Sequence, residues 1–315
     1  MQIRNDIASL FHADMKEVPT NGCSTSAFYK SNDAFLKITD TSKDWLCLRS
    51  SDTGREFEVL RSLNGSELWD IFDNPYIAAA KEGAMYGLLM KRLDGVLFDK
   101  HYDILHHELV VQSMAKLHAL FWEDKRIAEM SSLMNLTDFW KIIGIWNGYA
   151  NTAQPIGISV LTGWEKAKTL LSDKALQYLL DYENNAVRFA GLPNTLLHGD
   201  YRPTNLGYDK KTQKLTVIDF AFCGYAPCSV DLFWYLATAM HYGLDFERTV
   251  KFYRQSLEAE IGCLDNTLWN DLYRVGIISA CYMQLWEKAL DYEHDKQDFN
   301  FWVYQLERAI GETKV

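Results

Sequence analysis

Residues 197–208 read LHGDYRPTNLGY, and within them His198, Gly199, Asp200 and Asn205 take the form HGDxxxxN. Fourteen residues after Asn205, the apolar run 215–218 ends in Asp219-Phe220. Three oxygen-bearing side chains therefore sit on a strand, turn, strand unit. Asn205 and Asp219 offer the hard oxygen ligands that magnesium prefers. Asp200 stays free to accept a proton from an attacking hydroxyl. Singly, each of the three reads as turn or cap chemistry. Four fixed residues at this spacing arise by chance in about one chain in a thousand of this length, so the set reads as a site.

The elements that must position this unit can be read around it. Residues 24–31 (STSAFYKS) and 34–39 (AFLKIT) have strand composition, with a turn signal at Asn32-Asp33. Residues 54–63 (GREFEVLRSL) carry a helical apolar stripe, and 86–90 (YGLLM) form a short apolar strand leading into the connection 91–95 (KRLDG). Residues 106–121 follow a 3.6-residue period. Ser172 is placed to cap a helix over 174–189, with Gly191 as its stop. Short strands are expected at 195–197 and 215–218, with the polar 209–213 in a turn, and most of 229–315 is helical and aromatic. The expectation is α+β: a small β-rich lobe, a hinge near 90–95, and a larger, mostly helical lobe.

The catalytic unit resembles that of the aminoglycoside phosphotransferase and choline kinase-like family, relatives of the protein kinases. Their catalytic loop is HGDxxxxN, and their metal-binding strand ends in Asp-Phe or Asp-Trp. Asp231-Leu232, preceded by Gly224 and Pro227, is similar to the family's GxxP…DL segment. Gly22-Cys23-Ser24 stands where its phosphate loop stands, FLKIT places Lys37 in mid-strand, and REFEVLRSL places Glu56 on the next helix. LLMKRLDG matches the hinge, and AKLHALF matches the helix before the catalytic loop.

The resemblance implies a bilobal protein kinase-like fold, with a nucleotide-binding lobe over 1–91 and a helical lobe carrying the catalytic loop and acceptor site over 92–315. It implies that Lys37 neutralises the α- and β-phosphates of ATP or GTP, with Glu56 holding it and Glu58 as fallback. Backbone amides near Gly22 and Ser24 would bind phosphate, and the backbone of Met90 to Arg92 would meet adenine. Asn205 and Asp219 would bind Mg²⁺, and Asp200 would orient the acceptor hydroxyl. The expected reaction is in-line transfer of a γ-phosphoryl group to an antibiotic, amino alcohol, choline-like or sugar-like hydroxyl. A non-catalytic nucleotide-binding module and a phosphoesterase using His198 and Asp200 as an HxD ligand pair are the alternatives. Ala221 follows Asp219-Phe220 where protein kinases have glycine, and only twelve residues separate Asp219 from Asp231, which argues against an activation segment.

Other residues have plainer readings. His198 is either a loop-buttressing core histidine or part of the reacting site. Asp231 reads as a helix-start cap that also braces the catalytic loop, Arg202 as a phosphate contact or a partner for a nearby acid, and His106-His107 as a solvated helix end. Trp286, Tyr292, Phe299, Phe301, Trp302 and Tyr304 read as core aromatics. Glu287, Asp291, Glu293, Asp295 and Asp298 read as a solvated acidic face, with an acidic, aromatic wall for a cationic or hydrophobic acceptor as the alternative.

Composition sets the outer limits. The chain has 315 residues and a formal net charge of −10. A folded chain of this size buries roughly 75% of the surface its unfolded form exposes, so no disulfide or metal staple is required. The negative field opposes a nucleic-acid footprint. The six cysteines form no CxxC and read as reduced, mostly packed thiols. No signal-type h-region opens the sequence, and the uncharged stretch 142–164 is too polar and broken to span a membrane, so a cytoplasmic location is expected. Neither a Walker A, a GxGxxG nor a GxSxG motif occurs. These residues leave the acceptor, the choice between ATP and GTP, and the oligomeric state open.

Overall fold

The computed structural model of the protein describes residues 1–19, 25–98, 102, 106–145 and 155–311. Gly22, Cys23 and Ser24 lie outside the described residues. The fold is mixed α+β. A six-stranded sheet opens the chain, with order β1-β6-β7-β4-β3-β2. Its strands are β1 (Gln2–Arg4), β2 (Lys16–Val18), β3 (Ala27–Lys30), β4 (Ala34–Asp40), β6 (Tyr76–Glu82) and β7 (Met85–Lys91). All neighbours are antiparallel except β1 and β6. The β3–β4 hairpin closes where the turn signal lies: Ser31 N–H donates to Ala34 O, and Ser31 Oγ accepts from Ala34 N–H.

Strand β6 has no counterpart in the sequence reading, because alanine has low strand propensity. Here the alanines are needed for their size. Ala78 and Ala80 are fully buried against Ile7, Leu10 and Leu36 in a small core on one sheet face, while Ala79 belongs to the main core on the other. The same crowding explains Gly87 on β7, where a Cβ would come 2.7 Å from Leu10 Cδ1.

Three helices follow or interrupt the sheet: α1 (Trp45–Ser50), α2 (Arg55–Ser62) and α3 (Leu68–Ile71), the last leading into β5 (Phe72–Asp73). The rest of the chain is largely helical: α4 (His107–Leu120), α5 (Lys125–Ala128), α6 (Leu136–Ile142), α7 (Pro155–Leu170), α8 (Asp173–Leu180), α9 (Tyr182–Val187), α10 (Ser229–Ala239), α11 (Phe246–Ile261), α12 (Asn266–Leu290) and α13 (Lys296–Gly311). Between α9 and α10 lie β8 (Thr195–Leu197), β9 (Leu206–Asp209), β10 (Lys214–Val217) and β11 (Gly224–Ala226). They form two small sheets, β5-β10-β9 and β11-β8.

Two expectations need correction. The helix expected over 174–189 is capped by Ser172 as foreseen, but it breaks at Asp181 into α8 and α9. Asn185 Nδ2 donates to Tyr178 O, so this side chain competes with the helical ladder at the break, and Asn184 Nδ2 donates to the Asp181 carboxylate beside it. The pair His106-His107 is not a solvated helix end. His107 bridges Tyr235 OH (2.7 Å) and Thr249 Oγ1 (2.8 Å), and His106 packs between Phe98 and Tyr208.

Helix α12 is the spine of the helical part, packed against α7, α10 and α13. Asp265 caps its first turn. Gly163 of α7 meets it backbone to backbone, since a Cβ there would lie 2.2 Å from Trp286 O. Trp140 of α6 donates to Ser279 Oγ at 2.8 Å. Among the described residues, no helix is long and apolar enough to cross a membrane. Of the described cysteines, Cys47, Cys223, Cys228 and Cys281 are buried free thiols and Cys263 is exposed.

Burial lowers the pKa of His107 from 6.5 to about 4. Between those values the unfolded chain binds the proton that the folded one refuses, so stability falls as pH drops from about 6.5 through about 4. Urea midpoints measured at pH 7, 6 and 5 should fall more steeply for the parent than for His107→Gln.

Candidate active site

Lys37 lies in the middle of β4, opposite Leu88 of β7, with its side chain directed into a cleft between the sheet and the helical part. It is buried, and its Nζ is 2.8 Å from Glu56 Oε2 and 2.9 Å from Asp219 Oδ1. Glu56 stands in the first turn of α2 and also accepts from Tyr86 OH at 3.1 Å. Glu58, two residues on, faces away and pairs with Lys81 and Arg61, so the fallback partner is not used. Burial alone would lower Lys37, but Asp219 and Glu56 outweigh it and hold the ammonium well above the ordinary 10.5. Burial pushes Glu56 above the usual carboxylate range against the pull of Lys37. Asp219, which burial would also raise, is held below its usual value chiefly by the Lys37 charge and hydrogen bond.

Helix α2 is pinned at its start. Asp52 Oδ1 accepts from Gly54 and Arg55 N–H. The buried Arg55 guanidinium donates to Ser132 O (2.7 Å) and Ala221 O (2.8 Å). It thereby ties the helix carrying Glu56 to the loop that follows Asp219.

Asp219 leaves the end of β10 in a left-handed conformation, φ 67°, ψ 66°. For a residue with a Cβ this costs on the order of 1–3 kcal/mol, which the surrounding structure must sustain. The restraints are visible: Ile218 N–H donates to Asn205 O, and His198 Nε2 lies 2.9 Å from Ile218 O. The other ring nitrogen of His198 accepts from Asp200 N–H. His198 thus carries its proton on Nε2 and donates it to Ile218 O, buttressing the loop.

The turn at Gly199 has φ 80°, and a Cβ there would sit 2.0 Å from Phe222 O. Asp231 accepts from His198 N–H and Gly199 N–H, both at 2.8 Å, while His118 Nε2 lies 3.2 Å away and His118 Nδ1 meets Tyr253 OH. Its carboxylate therefore braces the catalytic loop. It does not cap α10, which has no side-chain cap.

Asp200 is almost fully buried. Its Oδ2 accepts from Asn205 Nδ2 at 2.9 Å, and its Oδ1 lies 3.0 Å from Trp234 Nε1 and 3.1 Å from Arg202 Nε. Arg202 therefore pairs with a neighbouring acid. Because Asn205 spends its amide nitrogen on Asp200, its amide oxygen is the atom available to a cation.

The cleft around Lys37 has a volume of about 370 Å³ and is lined by Phe28, Phe35, Met90, Arg92, Ile218 and Asp219 among others. Met90 and Arg92 are among the residues lining it. Two of the expected backbone donors are engaged elsewhere: Lys91 N–H donates to Pro75 O and Arg92 N–H to Asp33 O.

A second groove, of about 400 Å³, opens beside Arg202 and is bounded by Thr238, Glu287, Lys288, Asp291 and Asp295. In the terminal helices Trp286, Phe299 and Trp302 are core residues and Tyr304 is exposed. The acids 287, 291, 295 and 298, by contrast, line this groove. The spacing of four between Glu287 and Asp291, at the end of α12, is a signal for that pair, whereas Asp295 and Asp298 come from the turn after α12 and from α13. Trp234 and Arg55, which sequence reasoning passed over, lie one turn after Asp231 and one residue before Glu56.

A buried lysine shared by two carboxylates thus lies beside the HGDxxxxN loop. The model of the phosphotransferase enzyme family matches residues 30–267, and the chain belongs to that family. Among solved structures the chain is similar to choline kinase LicA from Streptococcus pneumoniae, with 10% identity, TM-score 0.55, and 97% of this chain and 95% of that one covered. It is similar to the ethanolamine kinase of Plasmodium vivax, with 12% identity, TM-score 0.52, and coverage of 95% and 82%. Against aminoglycoside phosphotransferase APH(3'')-Id from Streptomyces rimosus the identity is 16%, the TM-score 0.50, and the coverage 88% and 95%. At these identities the likeness is one of fold. No curated protein matches the chain.

Removing the Asp231 carboxylate would orphan two buried amides and the His118 contact. Asp231→Ala should therefore lose about 3 kcal/mol or more in urea denaturation, and Asp231→Asn, which keeps one acceptor oxygen, about half as much.

Proposed function

We propose that the protein transfers the γ-phosphoryl group of ATP, or GTP, to a hydroxyl of a small, positively charged molecule. In this reading residues 1–91 bind the nucleotide, and 92–315 supply the catalytic loop and the acceptor groove. The observation that carries it is the position of Lys37, which joins Glu56 and Asp219 in a cleft whose floor is tied through Asn205 to Asp200. Lys37 would meet the α- and β-phosphates, held in place by Glu56. The acceptor oxygen bonds to the γ-phosphorus, the bond from phosphorus to the β–γ bridging oxygen breaks, and the acceptor proton passes to Asp200. An ordinary carboxylate is a weak base, but in a loose transition state that proton leaves late. Positioning and charge neutralisation then supply most of the acceleration.

The donor set suits Mg²⁺: the Asp219 carboxylate and the free amide oxygen of Asn205 are hard oxygen ligands. When bound there, the ion would neutralise charge on the phosphates and on the departing diphosphate. The acids of the second groove support a cationic acceptor, and Arg202 connects that groove to Asp200. A phosphoesterase using His198 as a metal ligand is disfavoured, since both of its ring nitrogens already make protein hydrogen bonds.

Calorimetry with ATP or GTP and magnesium should show binding that Lys37→Met weakens at least tenfold; no heat with either nucleotide would remove the proposal. Asp200→Asn should keep nucleotide affinity and lose about 10²–10⁴ in turnover. In a screen of amino alcohols and aminated antibiotics by ATP consumption, Asp291→Asn should raise the KM of the best acceptor and leave that of ATP unchanged.

A further inference from the structure

Helix α10 addresses the whole reacting segment with one face. Asp231 holds the backbone amides of His198 and Gly199. One turn later, Trp234 Nε1 donates to Asp200 Oδ1 at 3.0 Å. A further turn on, Ala237 and Thr238 line the acidic groove. We propose that Trp234 is a positioning residue for Asp200, its indole N–H turning the carboxylate so that Oδ2 faces the acceptor hydroxyl; this rests on the phosphoryl-transfer reading above.

The argument is one of occupancy and rigidity. A carboxylate offers about four lone-pair sites. Oδ1 takes Trp234 and Arg202, and Oδ2, among the described residues, takes Asn205 alone. The oxygen with room for a substrate hydroxyl is therefore Oδ2. Of the two groups on Oδ1, Arg202 is nearly half exposed and borders the groove, so an incoming phosphate can draw it away. Trp234 is buried, with two side-chain torsions and a single donor direction. It is the contact that persists when the groove fills. The competing reading is that a buried indole N–H simply needs an acceptor and Asp200 supplies one.

The two readings separate when Trp234 is replaced by 3-benzothienylalanine, whose ring keeps the shape of indole but carries sulfur in place of N–H. Hydrolysis of Mg·ATP with water as the acceptor needs no knowledge of the natural substrate. The expected result is a fall in kcat of about tenfold, the scale of one lost hydrogen bond to a charged group, with the KM for ATP within twofold and the melting temperature close to the parent's. Trp234→Phe should show the same split between kcat and KM at lower stability. In the ¹⁵N spectrum of the parent, the Trp234 indole resonance should move in Asp200→Asn. An unchanged kcat in the benzothienyl variant, or an unmoved indole resonance whatever the turnover, overturns the inference while leaving nucleotide binding, and the phosphotransferase reading, intact. A parent that binds neither ATP nor GTP overturns both.

Discussion

The structure turns on one buried ammonium held between two carboxylates that come from different parts of the chain. Lys37 sits in a sheet strand, Glu56 on the helix laid against that sheet, and Asp219 at the end of a strand more than 180 residues away. Taking such charges out of water is costly, and losing one member of the set leaves the others uncompensated, typically at 3–5 kcal/mol. The triad therefore couples the sheet to the helical part electrostatically. In the proposed reaction, an entering phosphate would compete with Asp219 for a lysine that is already desolvated and aimed.

Around that triad, the structure spends strain and buried polarity on a short length of backbone. Asp219 is held left-handed, Gly199 turns where no side chain fits, and Asp231 occupies both of its oxygens with amides of the loop. His198 closes the ring by bridging the amide of Asp200 and the carbonyl of Ile218. The loop and the strand end thus form one rigid unit whose geometry does not depend on flexible surface side chains. Arg55 extends this unit to the helix of Glu56. The pairing of Glu56 with Lys37 thus stands assembled in this structure.

The reacting unit was legible in the sequence because its chemistry demands particular residue types at fixed spacing. HGDxxxxN, Asp219 and the lysine in mid-strand leave few other readings. Asp231 reads as a helix cap that also braces the loop, and of the two roles only the bracing is seen. What stayed hidden had physical reasons. An alanine-rich strand looks like nothing in particular until its neighbours show that only small side chains fit at 78 and 80. At the break by Asp181 the Asn185 side chain reaches the backbone carbonyl of Tyr178, a local competition that periodicity does not register. His107 looked solvated because its partners, Tyr235 and Thr249, are more than 120 residues away. The contact of Trp234 with Asp200 was invisible for the same reason: it depends on where one N–H points across the fold.

The close approach of α7 to α12 has a consequence for how such a protein can change. At Gly163 the two helices touch backbone to backbone, directly behind the stretch of α12 that carries Glu287 and Lys288. That contact fixes the main chain from the rear, while the groove side of the same helix carries side chains into open space. Exchanging Glu287 on this helix therefore changes the charge on the groove wall without shifting the backbone that presents it. On the proposed reading, a new acceptor preference is reachable from this wall while the cleft around Lys37 has no need to readjust.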